Sequence, residues 1–198
     1  MSIERSNAVT HIFSKAQPNR AVPEGPIRLL KLKDGRAVAL RVARRDDAPA
    51  VQQFVRGLSE SSRRNRFFAP LRELSPDQLD RVTYVHPPNG LALVGETVGG
   101  PYSRIVALAQ YVAGEADDAE FAVVVDDAWQ RKGLGIQLLE VLTEHAARAG
   151  VEGFAGFVLA DNWPMLALLA RLDYELMDDD DLRVVRAIKR LDTCELVV

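Results

Sequence analysis

Ahead of an amphipathic run that begins near Leu134, the chain reads Gln-Arg-Lys-Gly-Leu-Gly from Gln130 to Gly135. Two closely spaced glycines at the mouth of a helix leave backbone N–H groups without carbonyl partners and let a ligand approach the main chain. The positive end of the helix dipole adds to that field, and Arg131 and Lys132 supply full charges. This is chemistry for an anion, phosphate above all. A Walker loop would close on Gly-Lys-Ser/Thr, and a dinucleotide fingerprint needs three glycines at other spacings after an early strand; neither is present. The same residues would also make an ordinary strand-to-helix turn, and residue types alone do not choose between the two.

The elements that must position this loop follow from periodicity. A β-branched run, Glu120 to Val125, reads as the strand before it. After it, Leu138, Leu139, Leu142, Ala146 and Ala149 share one stripe of a helix over residues 134–149, which Gly150 ends. Upstream, two short apolar runs flank Asp34-Gly35, a hairpin signal. A helix then opens at Asp46 or Asp47 with Pro49 in its first turn, and the helical pattern continues through "SESSRRNRFF". Ser75 and Pro76 open another helix. "LALVGE" and "IVALAQYVA" read as an antiparallel pair of strands. Beyond residue 150, "GFAGFVLA" is a strand, "WPMLALLARL" a helix, and "YELM" and "LRVVRAIKRL" two more strands. The order predicts an α+β (or mixed α/β) fold, a mostly antiparallel sheet flanked by helices. Residues 1–25 read as a polar arm and residues 26–198 as one domain.

Composition narrows the class. With 198 residues and 47% hydrophobic content the chain has ample material for one core. A net charge of -3 gives no global basic field for nucleic acid. Cys194 is the single cysteine, which rules out an intrachain disulfide and a multi-cysteine metal site and suits a reducing cytoplasm. No run of about 18 apolar residues suggests a membrane span. Oligomeric state is open, a homodimer included.

"QRKGLG" between a strand and a helix resembles the Gln/Arg-x-x-Gly-x-Gly/Ala signature of the GNAT superfamily of acyl-CoA-dependent N-acyltransferases. "NWPMLALLARLDYEL" is similar to that family's second signature, an Asn, a helix and then Gly-Phe, with Asp173-Tyr174 standing at the Gly-Phe position. Residues 35–190 further resemble the GNAT domain of bacterial protein-lysine acetyltransferases. The resemblance implies that acyl-CoA lies in a cleft between splayed central strands. It assigns the diphosphate to Gln130, Arg131, Lys132, Gly133, Leu134, Gly135 and Ile136, the pantetheine arm to the backbone of Val123, Val124 and Val125, and a further coenzyme contact to Asn162. It implies acetyl-CoA as co-substrate with no metal, and a primary amine as acceptor, a protein lysine first and a small-molecule amine second. A non-catalytic acyl-CoA-sensing module is the alternative from another class.

By the same resemblance Glu120 is the general base. An alkylamine of pKa about 10.4 is mostly ammonium at neutral pH, and exposing its lone pair costs roughly 4–5 kcal/mol. A carboxylate raised by burial beside Phe121 and Val123 offsets that cost, and an amide near Val125 would face the oxyanion. The tyrosine that many members place seven residues after the Asn is Leu169 here, so water protonates the thiolate or it leaves unaided. Arg63, Arg64 and Arg66 with Phe67 and Phe68 either shape an acceptor groove or snorkel over the core. His145 reads as an ordinary helical histidine, Asp178 to Asp181 as a solvated loop, and Trp129 and Trp163 as packing residues.

Overall fold

The computed structural model describes residues 26–86, 89–114 and 118–191. The N-terminal arm and Cys194 lie outside the described residues. An eight-stranded sheet runs in the order β1-β2-β3-β4-β5-β6-β8-β7. Strands β1 (Arg28–Lys31) and β2 (Ala37–Val42) form the predicted hairpin, closed by Leu32 N–H donating to Arg36 O at 2.8 Å. Gly35 takes φ 84° in the turn, a conformation that costs a glycine little.

The next stretch holds two helices rather than one continuing pattern. Helix α1 (Ala48–Gly57) stops at Leu58, whose extended backbone breaks the ladder, and Ser59 caps a new helix, α2 (Glu60–Phe67), by accepting from Ser62 N–H. Asp47 is the residue before α1, yet its carboxylate does not cap that helix. It accepts from Arg44 N–H and pairs with Arg41, which also holds Glu96 at 2.5 Å. Helix α3 (Pro76–Thr83) begins at Ser75 with the reciprocal Ser75–Gln78 capping box.

Strands β3 (Gly90–Thr97), β4 (Ile105–Ala113) and β5 (Asp118–Val125) are antiparallel neighbours at the centre of the sheet. Helix α4 (Leu134–Arg148) and strand β6 (Gly153–Leu159) follow, then helix α5 (Trp163–Ala170) and strands β7 (Glu175–Asp178) and β8 (Val184–Arg190). One apolar cluster packs α4 and Leu169 of α5 on one face of the sheet; a second packs α1 and α3 on the other. Both faces of β3 and β4 are therefore covered, which explains their near-continuous apolar runs.

The one parallel pairing among the described residues decides the architecture of the site. β5 meets β6 only at Asp118, Ala119 and Glu120, opposite Gly153, Phe154 and Ala155. From Phe121 onward the two strands part, and a fork opens in the middle of the sheet. Asp126 N–H donates to Val106 O, so alternation along β5 commits Val124, Ala122 and Glu120 to β4. The N–H and C=O groups of Phe121, Val123 and Val125 consequently face the fork.

Candidate active site

The fork widens into a cleft of about 1070 Å³, bounded by α2 and α3 on one side and by α4 and α5 on the other. Its volume is slightly above the usual range for ligand sites, about 300–1,000 Å³. Of the residues expected to bind or act, Glu120, Val123, Val124, Val125, Gln130, Arg131, Gly133, Gly135, Ile136 and Asn162 line it. Two keep their side chains elsewhere. Leu134 is 1% exposed in the core, and Lys132 reaches Asp34 of the hairpin turn at 3.6 Å.

At the loop, Arg131 (φ 58°) and Gly133 (φ 86°) both adopt left-handed backbone, which turns successive amides toward a common concavity. The N–H groups from Arg131 to Ile136 donate to no acceptor among the described residues. Gly133 stands at the N-cap of α4 with no side-chain cap. A Cβ at Gly135 would come within 2.9 Å of Leu168 Cδ1, so this glycine is set by the close approach of α5. Sequence reading missed Lys33, which lines the cleft from the β1–β2 turn; a Cβ at Gly133 would sit 3.7 Å from its Cε. It takes the place on the loop expected of Lys132. No local signal in the hairpin reveals that, because the contact joins segments about a hundred residues apart.

Gln130 ties the loop to both neighbours. Its side-chain amide donates to Val125 O at 3.0 Å and to Ser62 Oγ at 3.0 Å. Asp127 completes the link by accepting from Ser59 N–H, Ser59 Oγ and Ser62 Oγ at 2.7–2.8 Å. The N-terminus of α2 is thus anchored to the loop after β5, a connection spanning 68 residues. On the far side Asn162 caps α5 through Oδ1, 3.4 Å from Met165 N, leaving its NH₂ toward the cleft.

At the closed end of the fork stands Glu120, part-buried at the last rung that β5 shares with β6. Burial raises its pKa above the ordinary glutamate range, and the guanidinium of Arg66 pulls the other way. Gln110 of β4 lies diagonally across from Glu120, two residues along the ladder, and is 9% exposed. A polar residue inside "IVALAQYVA" was the readable signal for it.

The remaining candidates separate. Arg63 donates to the carbonyl of Leu58 at the end of α1, Arg64 pairs with Asp161 at 2.8 Å, and Arg66, Phe67 and Phe68 line the cleft. Trp129 is packed, with Arg36 stacked 3.8 Å over its ring. Trp163 is 72% exposed, contrary to the packing expected of it. It occupies the first position of α5, where the only buried residue is Leu169. Leu169 itself is fully buried and offers no proton to the cleft. The Gly-Phe departure has a clear geometry: Asp173 takes φ 59°, the left-handed position a glycine would fill, and Tyr174 is buried against Phe121 at 5.1 Å between ring centroids.

Known proteins share this chain's sequence pattern and its fold. Acetyltransferase PA5475 of Pseudomonas aeruginosa is 30% identical over 162 residues, 81% of this chain and 87% of its own length. The chain belongs to the GNAT acetyltransferase superfamily. The family described as FR47-like protein matches residues 100–184, from the turn before β4 to the start of β8. The crystal structure of the GNAT domain of S. lividans PAT superposes with a TM-score of 0.76 at 29% identity, over 83% of this chain and 96% of that one. At 17% identity, yncA of Salmonella typhimurium with its cofactor acetyl-CoA shares the fold, with a TM-score of 0.61 over 81% of this chain and 96% of its own. GNAT acetyltransferases use acetyl-CoA, and the residues of this acetyltransferase fit it: six unpaired amides and the cations Lys33 and Arg131 suit a diphosphate, and an open strand edge suits an amide-bearing arm.

Proposed function

We propose that this acetyltransferase moves acetyl from acetyl-CoA to a primary amine, a lysine side chain of a protein, with Glu120 as general base. The observation that carries the reading is the position of Glu120: a part-buried carboxylate at the apex of the fork, lining the same cleft as the amide row. The amides of Arg131 to Ile136, with Lys33 and Arg131, would hold the diphosphate. The backbone of Val123 and Val125 would pair with the amides of the pantetheine arm, and the Asn162 NH₂ would make a further contact. Bound there, acetyl-CoA supplies an activated thioester between β5 and α2.

Glu120 takes the proton from the incoming ammonium, and its raised proton affinity brings it nearer the operating pH than a solvated glutamate. The freed amine attacks the carbonyl directly. An outward N–H of β5 beside Glu120, that of Phe121 rather than one near Val125, which stands about 17 Å along the strand, would stabilise the oxyanion. With Leu169 buried and the Tyr174 hydroxyl inside the core, the thiolate, of pKa about 8.5, leaves without a dedicated acid. The choice of a protein lysine follows the subgroup resemblance of residues 35–190.

The test is thiol release from acetyl-CoA with a panel of amines and lysine peptides, comparing wild type with Glu120→Gln, together with mass spectrometry of lysine acetylation in a deletion strain. Turnover on peptides that collapses in Glu120→Gln, with coenzyme binding intact, supports the reading. Tight coenzyme binding without turnover on any acceptor sinks it in favour of a sensing module.

A further inference from the structure

Two polar side chains in the acceptor end of the cleft have no hydrogen-bond partner among the described residues. Arg66, on α2, lines the cleft with its Nε buried and without a hydrogen-bond partner. Its side chain makes no hydrogen bond or salt bridge with any described residue; the guanidinium lies 4.9 Å from the centroid of its neighbour Phe67. Gln110, 9% exposed and also lining the cleft, makes no side-chain hydrogen bond among the described residues. Leaving the Arg66 Nε buried and unpaired is costly, and the cost disappears when a ligand brings the missing acceptor.

The two are close to Glu120 by construction. Gln110 is the diagonal neighbour of Glu120 across the β4–β5 ladder, on the same face of the sheet, and α2 packs against β5. The end of the cleft therefore presents one carboxylate, one unpaired guanidinium and one primary amide. Asp77 and Arg81 of α3 line the cleft too, while Lys33 and Arg131 are with the diphosphate loop. The charge complement of Glu120 beside Arg66 is an ammonium beside a carboxylate.

We propose that Arg66 and Gln110 form an acceptor subsite for a carboxylate carried close to the amine that is acetylated. The inference rests on the acetyl-transfer reading and narrows its substrate class. Arg66 offers its N–H groups to the carboxylate and Gln110 its NH₂, so the acceptor is oriented with its amine toward Glu120. Burial lowers the pKa of Arg66 to about 10, Glu120 opposing it; a bound carboxylate relieves that penalty. Two sources carry this chemistry: an acidic side chain next to the target lysine in a peptide, or the α-carboxylate of a free amino acid.

Matched acceptors separate them. Lysine peptides with Glu or with Gln beside the lysine form one pair, and free lysine and lysinamide the other. Each acceptor is measured for kcat/KM by thiol release, and by calorimetry for binding to the enzyme with and without coenzyme A. Wild type, Arg66→Gln, Arg66→Lys and Gln110→Ala are compared, each checked by its melting temperature. The acid member of one pair should be preferred by roughly tenfold or more. That preference should fall to about parity in Arg66→Gln, persist in part in Arg66→Lys, and weaken in Gln110→Ala. Which pair responds identifies the source. Equal binding and turnover of acid and amide members in wild type overturns the subsite, as does a preference that survives Arg66→Gln. The outcome is independent of Glu120: if Glu120→Gln turned over normally while the preference held, the assignment of the base would fall and the subsite would stand.

Discussion

Replacing Asp127 by Ala should uncouple the acceptor-side helix from the coenzyme loop. The carboxylate accepts from Ser59 N–H at 2.8 Å and from the hydroxyls of Ser59 and Ser62 at 2.7 Å. Hydrogen bonds to a charged group contribute about 1.5–3 kcal/mol each, so three of them set a ceiling near 5–9 kcal/mol. Asp127 and Ser59 are exposed and water replaces most of what they lose, whereas Ser62 is 7% exposed and loses a buried partner. The expected net cost is therefore about 2–3 kcal/mol, one stranded buried donor and two bonds to Ser59 that water only partly replaces. In a chain of this size that lowers Tm by roughly 5–10 °C. The pH dependence has a definite sign. Burial works to raise the Asp127 pKa, but the bonds from Ser59 and Ser62 outweigh it and hold it below the usual carboxylate value. A depressed carboxylate stabilises the fold above its unfolded pKa, and that contribution is lost as pH falls through the folded one. The difference in Tm between wild type and Asp127→Ala should accordingly be full at pH 7 and shrink below about pH 4. In kinetics, KM for the amine should rise more than the dissociation constant of coenzyme A, because α2 carries Arg66 and Phe67 while the amide row stays on α4. A Tm unchanged within a degree, or a loss confined to coenzyme binding, would refute the coupling.

Glu120→Gln should cut kcat by 10²–10⁴-fold, the usual worth of a positioned base. Wild-type kcat/KM should fall on the acid side with a pKa above the ordinary glutamate range, a limb that Arg66→Gln moves higher still by removing the opposing cation. The same Glu120→Gln change should raise Tm at pH 7.5 but not near pH 4, since a carboxylate with a raised pKa destabilises the fold once pH exceeds its unfolded value. Asp173→Gly should stabilise by about 1 kcal/mol, because φ 59° is strained for Asp and free for Gly; a thermal melt up by roughly 2–4 °C checks it. Gly133→Ala, at φ 86°, should cost about 1 kcal/mol and weaken coenzyme A in calorimetry, both through a backbone that no longer holds the amide row.

Local physics made most of the fold legible. The stripe from Leu138 to Ala146 has one helical solution, Ser75 with Pro76 and Gln78 has one place in a helix, and the β3 and β4 runs are apolar because both of their faces are covered. The break between α1 and α2 was harder, because Ser59 reads as a helix residue until its hydroxyl is seen to cap Ser62. The site divides along the same line. The loop was legible as an anion cradle because glycines and a helix start are local facts, while its second cation was not: Lys33 arrives by folding of a hairpin over the loop, and Lys132 is drawn off by Asp34 in that same turn. Glu120 shows the limit most clearly. Its residue type and distance from Gly133 are in the sequence, but its depth comes from β5 leaving β6 one residue later, a property of strand order and twist that no single segment encodes. What makes a carboxylate a base is where the sheet parts. A chain that kept the same residues and paired β5 with β6 as far as Val125 would keep the glycine loop, lose the outward amides of Phe121, Val123 and Val125 to β6, and close the cleft onto Glu120.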